Sequence, residues 1–184
     1  DGSATVQTPV VLNSDSSASV VSGDAKAVAD TDSIEGITDS SFDIASDLDM
    51  AASVQSTLDS SATSTSGIAL SSSLIGAQQG IELIEAASGD DAIEVGGIAN
   101  ISVGSSMSAA SVAETVGDGT GNRIQGGDGS WSTAIADDHL GLGSGDLGGI
   151  LGIDVASDAS ISSSLASSLS ADATADAGFA GSNV

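Results

Sequence analysis

From Phe42 to Ser64 the chain alternates. Phe42, Ile44, Leu48, Met50, Ala52, Val54, Leu58 and Ala62 hold one parity, together with Ser46, Ser56, Ser60 and Ser64. Asp43, Asp47, Asp49, Gln55, Thr57, Asp59 and Thr63 hold the other. Successive side chains of a strand point to opposite faces, so a period of two marks a strand with one buried face. The segment Leu151 to Phe179 repeats the pattern. Leu151, Ile153, Val155, Ile161, Leu165, Leu169 and Phe179 are all odd, and Asp154, Asp158, Asp172 and Asp176 are all even. A helix would space its large apolar residues three and four apart, and these do not follow that spacing. Shorter examples run from Ile101 to Ala109 and from Ala4 to Leu12, and Ile93-Glu94-Val95 is a fragment of the same kind. One segment, Gly76 to Ala87, reads instead as a helix on its Ala-rich composition, although Ile81, Leu83 and Ile84 would also suit a strand.

These runs are too long for ordinary strands, which have about 5–6 residues. A continuous strand from Leu151 to Phe179 would span roughly 95 Å at about 3.3 Å per residue. It must bend into two strands, wind through successive coils, or leave the subunit and pair with a neighbour. The expectation is a single all-β domain over residues 1–184, a sandwich of long antiparallel strands with a terminal strand donated to a neighbouring subunit. The alternative is a β-solenoid. Residues 117–149 read as a Gly-rich loop region around a short strand, Trp131 to Ile135. Residues 151–179 read as a long C-terminal strand segment and the best donor. Its apolar face makes Ile153, Val155, Ile161, Leu165, Leu169 and Phe179 the expected polymerisation residues. No tandem repeat of fixed period is evident.

The inward positions are shallow. Ser, Ala and Gly make about half of the chain, and aromatics only 2%. A face of Ala and Ser buries little area, at about 25 cal/mol per Å². Association between subunits would supply what a monomer lacks, and sheets lined with small residues resemble cross-β assemblies in composition. Disorder is opposed by a mean hydropathy of +0.24.

Charge narrows the functions further. The chain carries 26 Asp plus Glu against 2 Lys plus Arg, a net charge of -24. Lys26 and Arg123 cannot form the basic patch that a nucleic-acid backbone requires, and anionic lipid is disfavoured for the same reason. There is no Cys, so thiolate metal centres and disulfides are impossible. No apolar run is long enough to insert into a membrane as a helix. The chain begins at Asp1, as it would after removal of a secretion signal.

His139 is the one histidine and reads as a loop residue. A Ser–His–Asp relay needs a positioned nucleophile and an oxyanion hole, and no GxSxG elbow is present. No enzymatic activity and no required cofactor are expected. Calcium is the cation that Gly/Asp loops would take, through carboxylate and carbonyl oxygens. Asp90, Asp91, Asp118 and Asp128 are its candidate ligands. Gly126-Gly127-Asp128-Gly129-Ser130 resembles the opening of the calcium-binding β-roll nonapeptide, without its next Asp and without a second copy.

The expected function is therefore a non-enzymatic subunit that self-assembles into an extracellular filament, pilus-like fibre or surface layer. Its expected partner is itself, with divalent cations assisting. The alternative is a calcium-dependent extracellular adhesion or binding module, of which an ice- or carbohydrate-binding solenoid is a variant.

Overall fold

The computed structural model describes residues 3–40, 42–83, 93–116, 129–144, 152–176 and 179–184. Among these every regular element is a strand. In chain order they are β1 (Ala4–Val20), β2 (Ala25–Ser40), β3 (Phe42–Ile44), β4 (Leu48–Ser64), β5 (Ile68–Leu83), β6 (Ile93–Val95), β7 (Ala99–Thr115), β8 (Gly129–Ser144), β9 (Ile153–Val155), β10 (Ala159–Ala175) and β11 (Phe179–Asn183).

The sheets correct the antiparallel sandwich. Sheet A has the order β1-β4-β7-β10, sheet B β11-β8-β5-β2, and a small sheet C β3-β6-β9. Every pairing is parallel. Consecutive strands lie in different sheets and meet through side chains. Each strand hydrogen-bonds with its counterpart one coil later. The fold is therefore solenoid-like, the alternative that the alternation also permits, since period two does not distinguish parallel from antiparallel pairing. The terminal strand is not donated either, because β10 pairs with β7 of its own chain along its whole length.

The corners explain the long alternating runs. Between sheets C and A the chain turns through three residues, 45–47, 96–98 and 156–158. An odd-length corner keeps side-chain parity, so Phe42 and Ile44 continue into Leu48 and Met50 as though one strand had run through. The corners stack on one another: Gly96 N–H donates to Ile44 O at 2.8 Å, and Ile98 N–H to the Asp47 carboxylate at 2.8 Å. The A-to-B corner is short in the first two coils, through residues 21–24 and 65–67. Gly23 and Gly67 adopt φ of 106° and 129° there, a region that costs glycine little.

All four strands of sheet A have 17 residues and pair without a slip. Their starts, Ala4, Leu48, Ala99 and Ala159, lie 44, 51 and 60 residues apart. The extra residues enter outside sheet A, which is why no fixed period is visible in the sequence.

The core grades from large to small along the strands. Beside sheet C it holds Leu48, Met50, Ile81, Leu83, Ile93, Ile101 and Val103. Midway come Leu58, Ile75 and Met107. At the A-to-B corner the buried cluster is Ala25, Ala27, Ala62, Ala69 and Ala113, with Ala18 and Val20 packed against it. There the sheets come close enough for side chains to reach the opposite backbone. Ser132 Oγ donates to Ser111 O at 2.6 Å, and Ser73 Oγ to Ala110 O at 2.6 Å. Buried hydroxyls must be paired, and these cross-sheet bonds pair them.

Sheet B departs from strict alternation, and it does so at the same rungs in each coil. The inward residues run Thr31, Ile34, Ile37 in β2; Ile75, Gln78, Ile81 in β5; and Ala136, His139, Leu142 in β8, in mutual register. Parity slips twice, at Gly76 and again at Gly80. This corrects the helix expected from Gly76: β5 continues as strand to Leu83, and residues 84–87 lie outside the described residues. The second kink stacks Gly36, Gly80 and Gly141. A Cβ on Gly80 would lie 2.2 Å from Val103 Cγ1 and 2.7 Å from Gly141 O, so glycine is there for close packing. Ser14 to Ser17, a turn cluster by composition, lies inside β1. Within the Gly-rich stretch, β8 runs 16 residues, well beyond Trp131 to Ile135.

Candidate functional site

The open coil end gathers part of the expected polymerisation set. Ile161, Leu165 and Leu169 project from the inner face of β10. Leu169 packs against Leu58 and Met107. Ile161 and Leu165 are 48% and 49% exposed, and the facing strand β11 is short, Phe179–Asn183. The other three are placed elsewhere. Ile153 and Val155 pair with Ile93 and Val95 in sheet C and pack against the main core. Phe179 lies on the outer face of sheet B, stacked on Trp131.

The backbone at this end follows from the ladder. Asp176 N–H bonds to Thr115 O at 3.0 Å, and Ala99 N–H to Asp158 O at 2.9 Å. The even residues of β10 thus point to β7. The odd residues, 159 through 175, turn their N–H and C=O groups to the open edge. At the other end Ala4 N–H bonds to Asp47 O at 2.8 Å, so the odd residues of β1 face outward. Pro9 is among them. The chain's one proline thus sits where its missing N–H costs no internal ladder bond.

The four calcium candidates, Asp90, Asp91, Asp118 and Asp128, lie outside the described residues. Among the described residues no three His, Asp or Glu side chains converge into a group able to hold a metal ion. Acidic residues instead form a column. Asp43, Glu94 and Asp154 occupy the same outward rung of sheet C, about 4.8 Å apart from coil to coil. Like charges stacked at this spacing repel, and salt relaxes that repulsion.

His139 is not in a loop. It lies in β8, facing inward, and joins a polar ladder through the core. Its Nδ1 meets Ser167 Oγ at 2.7 Å and its Nε2 meets Ser105 Oγ at 2.8 Å. One rung below, Gln78 is fully buried. Gln78 Nε2 donates to Ser105 Oγ at 2.7 Å, to Ser106 O at 2.9 Å and to Val54 O at 3.1 Å, and Ser56 Oγ donates to Gln78 Oε1. Desolvation lowers the His139 pKa from 6.5, and a hydrogen bond to the Ser105 backbone opposes this in part. Burial thus favours the neutral imidazole over the charged one. Sequence reasoning passed over Gln78 entirely. The three-residue spacing Ile75, Gln78, Ile81 was the signal that could have shown it to face inward.

No helix of the described residues is long and apolar enough to cross a membrane. No protein-family model, curated protein or solved structure matches this chain.

Proposed function

We propose that the protein is a non-enzymatic structural subunit of an extracellular filament, formed by stacking solenoids end to end along the coil axis. The open coil end carries this reading. Along the edge of β10, the backbone donors and acceptors of the odd residues have no ladder partner among the described residues, beside half-exposed Ile161 and Leu165. Long edges of this kind, with Asp172 the one charge within β10, template further strand pairing.

A second copy offers a matching edge. Placing its β1 against β10, in the register that relates the strands of sheet A, sets Val6 beside Ile161 and Val10 beside Leu165 on the inner face. On the outer face Asp15 falls beside Ser170 and Asp172 beside Ser17. No carboxylate meets another along this join, whereas inside the molecule Asp15 lies beside Asp59. The outward groups of β1 and β10 have the parity that this pairing needs. Pro9 forfeits one bond of the ladder. Sheet B contributes to the join only at β11. A contact between unlike ends does not close on itself, so it propagates into a filament. With a net charge of -24 per copy, assembly requires enough salt to screen the approach.

The test is sedimentation velocity and negative-stain microscopy of the full chain across protein concentration and ionic strength, with Leu165→Asp in parallel. Filaments that lengthen with salt and vanish in the variant are expected. A wild-type chain that stays monomeric throughout would overturn the reading.

A further inference from the structure

The outer faces of the two long sheets differ. Sheet A shows Asp49, Gln55, Thr57 and Asp59 to solvent, and sheet B shows rings. Leu70 and Trp131 share an outward column with Lys26 and Gly181. Trp131 leans across Gly181, where a Cβ would lie 2.6 Å from the indole. It stacks on Phe179 with centroids 6.0 Å apart and planes 13° apart. The rings are 43% and 61% exposed. The next outward column is polar above Val28: Ser72, Thr133, Asn183. Trp131 Nε1 donates to Thr133 Oγ1 at 3.0 Å, which fixes the indole. A shallow depression of about 170 Å³ lies between the columns.

We propose that this strip binds a neutral polysaccharide, with hexopyranose rings stacked on Trp131 and Phe179 and their hydroxyls bonded to Ser72, Thr133 and Asn183. A chain with only three aromatic residues places two of them in solvent, where they add little to the core. Exposed apolar strips of this kind mark interaction surfaces. The ligand class follows from charge and shape. A net charge of -24 repels polyphosphates and anionic lipid at long range, and a neutral polymer meets no such barrier. A pyranose presents an apolar C–H face with hydroxyls around its rim. The strip presents an aromatic row beside a hydroxyl and amide row, two residues away along the strand. Successive coils lie about 4.8 Å apart, and Phe179, in register with Gly129 two residues before Trp131, reaches the indole from the side, so a glycan crossing the coils obliquely meets Leu70, Trp131 and Phe179 in turn. A second copy is a poorer occupant, since Asp30, Asp32 and Asp137 border the same face and would oppose their own images.

The sole tryptophan reports binding directly. Fluorescence of the full chain is titrated with soluble neutral glycans of different backbones: a β-glucan, an α-glucan, a mannan and a galactan. At least one is expected to shift the emission of Trp131. Phe179→Ala, which keeps the reporter, should weaken that glycan by about tenfold, the loss of one stacking contact. Trp131→Ala should abolish retention in affinity electrophoresis, and Val11→Ala on sheet A should leave it unchanged. No response to any of the glycans would overturn the proposal. So would an emission shift with protein concentration alone, which would assign the strip to self-docking. Filament formation is read separately and does not bear on this result.

Discussion

Replacing Gln78 by Leu tests whether the polar ladder holds the core together or merely fills it. Leucine approximates the volume of glutamine, so the change removes bonds with little change in packing. Ser56 Oγ loses the partner it has on Gln78, and Val54 O and Ser106 O lose their side-chain donor. Ser105 keeps His139. An orphaned buried hydroxyl costs about 1–3 kcal/mol, and each lost neutral bond about 0.5–1.5 kcal/mol. The carbonyls retain their ladder bonds, so the sum is about 2–4 kcal/mol. Whole domains hold about 5–15 kcal/mol, so a fall of this size is easily measured. Urea unfolding followed by circular dichroism should show a lower midpoint at unchanged slope. Adding Ser56→Ala to the same chain removes the orphan and should return about 1–2 kcal/mol. A Gln78→Leu midpoint equal to or above wild type would refute the reasoning, because the core would then gain nothing from these bonds.

The kink column gives a steric counterpart. Gly80→Ala forces a Cβ to within 2.2 Å of Val103 Cγ1, and overpacking of this kind should cost about 1–3 kcal/mol in the same urea assay. Thr8→Val should act the other way. Thr8 Oγ1 is buried without a hydrogen-bond partner, so an isosteric methyl should raise stability by about 1 kcal/mol. His139 sets a pH dependence. Its folded pKa lies below 6.5, so below pH 6.5 the unfolded chain binds more protons than the folded one. The stabilisation from neutral His139 is complete above pH 6.5 and declines as pH falls toward the folded pKa. The difference in urea midpoint between wild type and His139→Gln should therefore shrink from pH 7.5 to pH 5.5, and a constant difference would refute the assignment.

Strand content was readable because sheet A alternates without a slip. Its inner face keeps one parity in each strand, and the three-residue corners hide the boundaries without disturbing the count. The direction of pairing was not readable. Period two is a property of one strand, whereas parallel pairing depends on where the chain goes after Val20, and the corner sends it into the facing sheet. Sheet B misled for a definite reason. Two parity slips set the inward residues Ile75, Gln78 and Ile81 three apart, so alternation does not mark β5 as a strand and the Ala content of Gly76 to Ala87 suggests helix. His139 reads as a loop residue because it falls within the Gly-rich residues 117–149, where the same slips break the alternation of β8. The open end was half visible: Ile161, Leu165 and Leu169 do share an inner face. Ile153 and Val155 share their parity only because the corner at residues 156–158 preserves it.

The open end also bears on the energetics. In a solenoid each coil touches only its neighbours, so stability is a sum of coil terms and interface terms. Among the described residues the β10 coil, like the β1 coil, has one neighbouring coil instead of two, and its inner face is half covered at Ile161 and Leu165. It is thus the part of the molecule with least to hold it, and the first expected to open. The interior offers little reserve, since beyond Leu58 the core is Ala and Ser. Anything that binds the folded end stabilises the whole by mass action. In the proposed filament, docking of a second copy would give the end coil the neighbour that the inner coils already have. Order at this end and assembly would then be one equilibrium, and the thin core would bias the monomer toward the polymer.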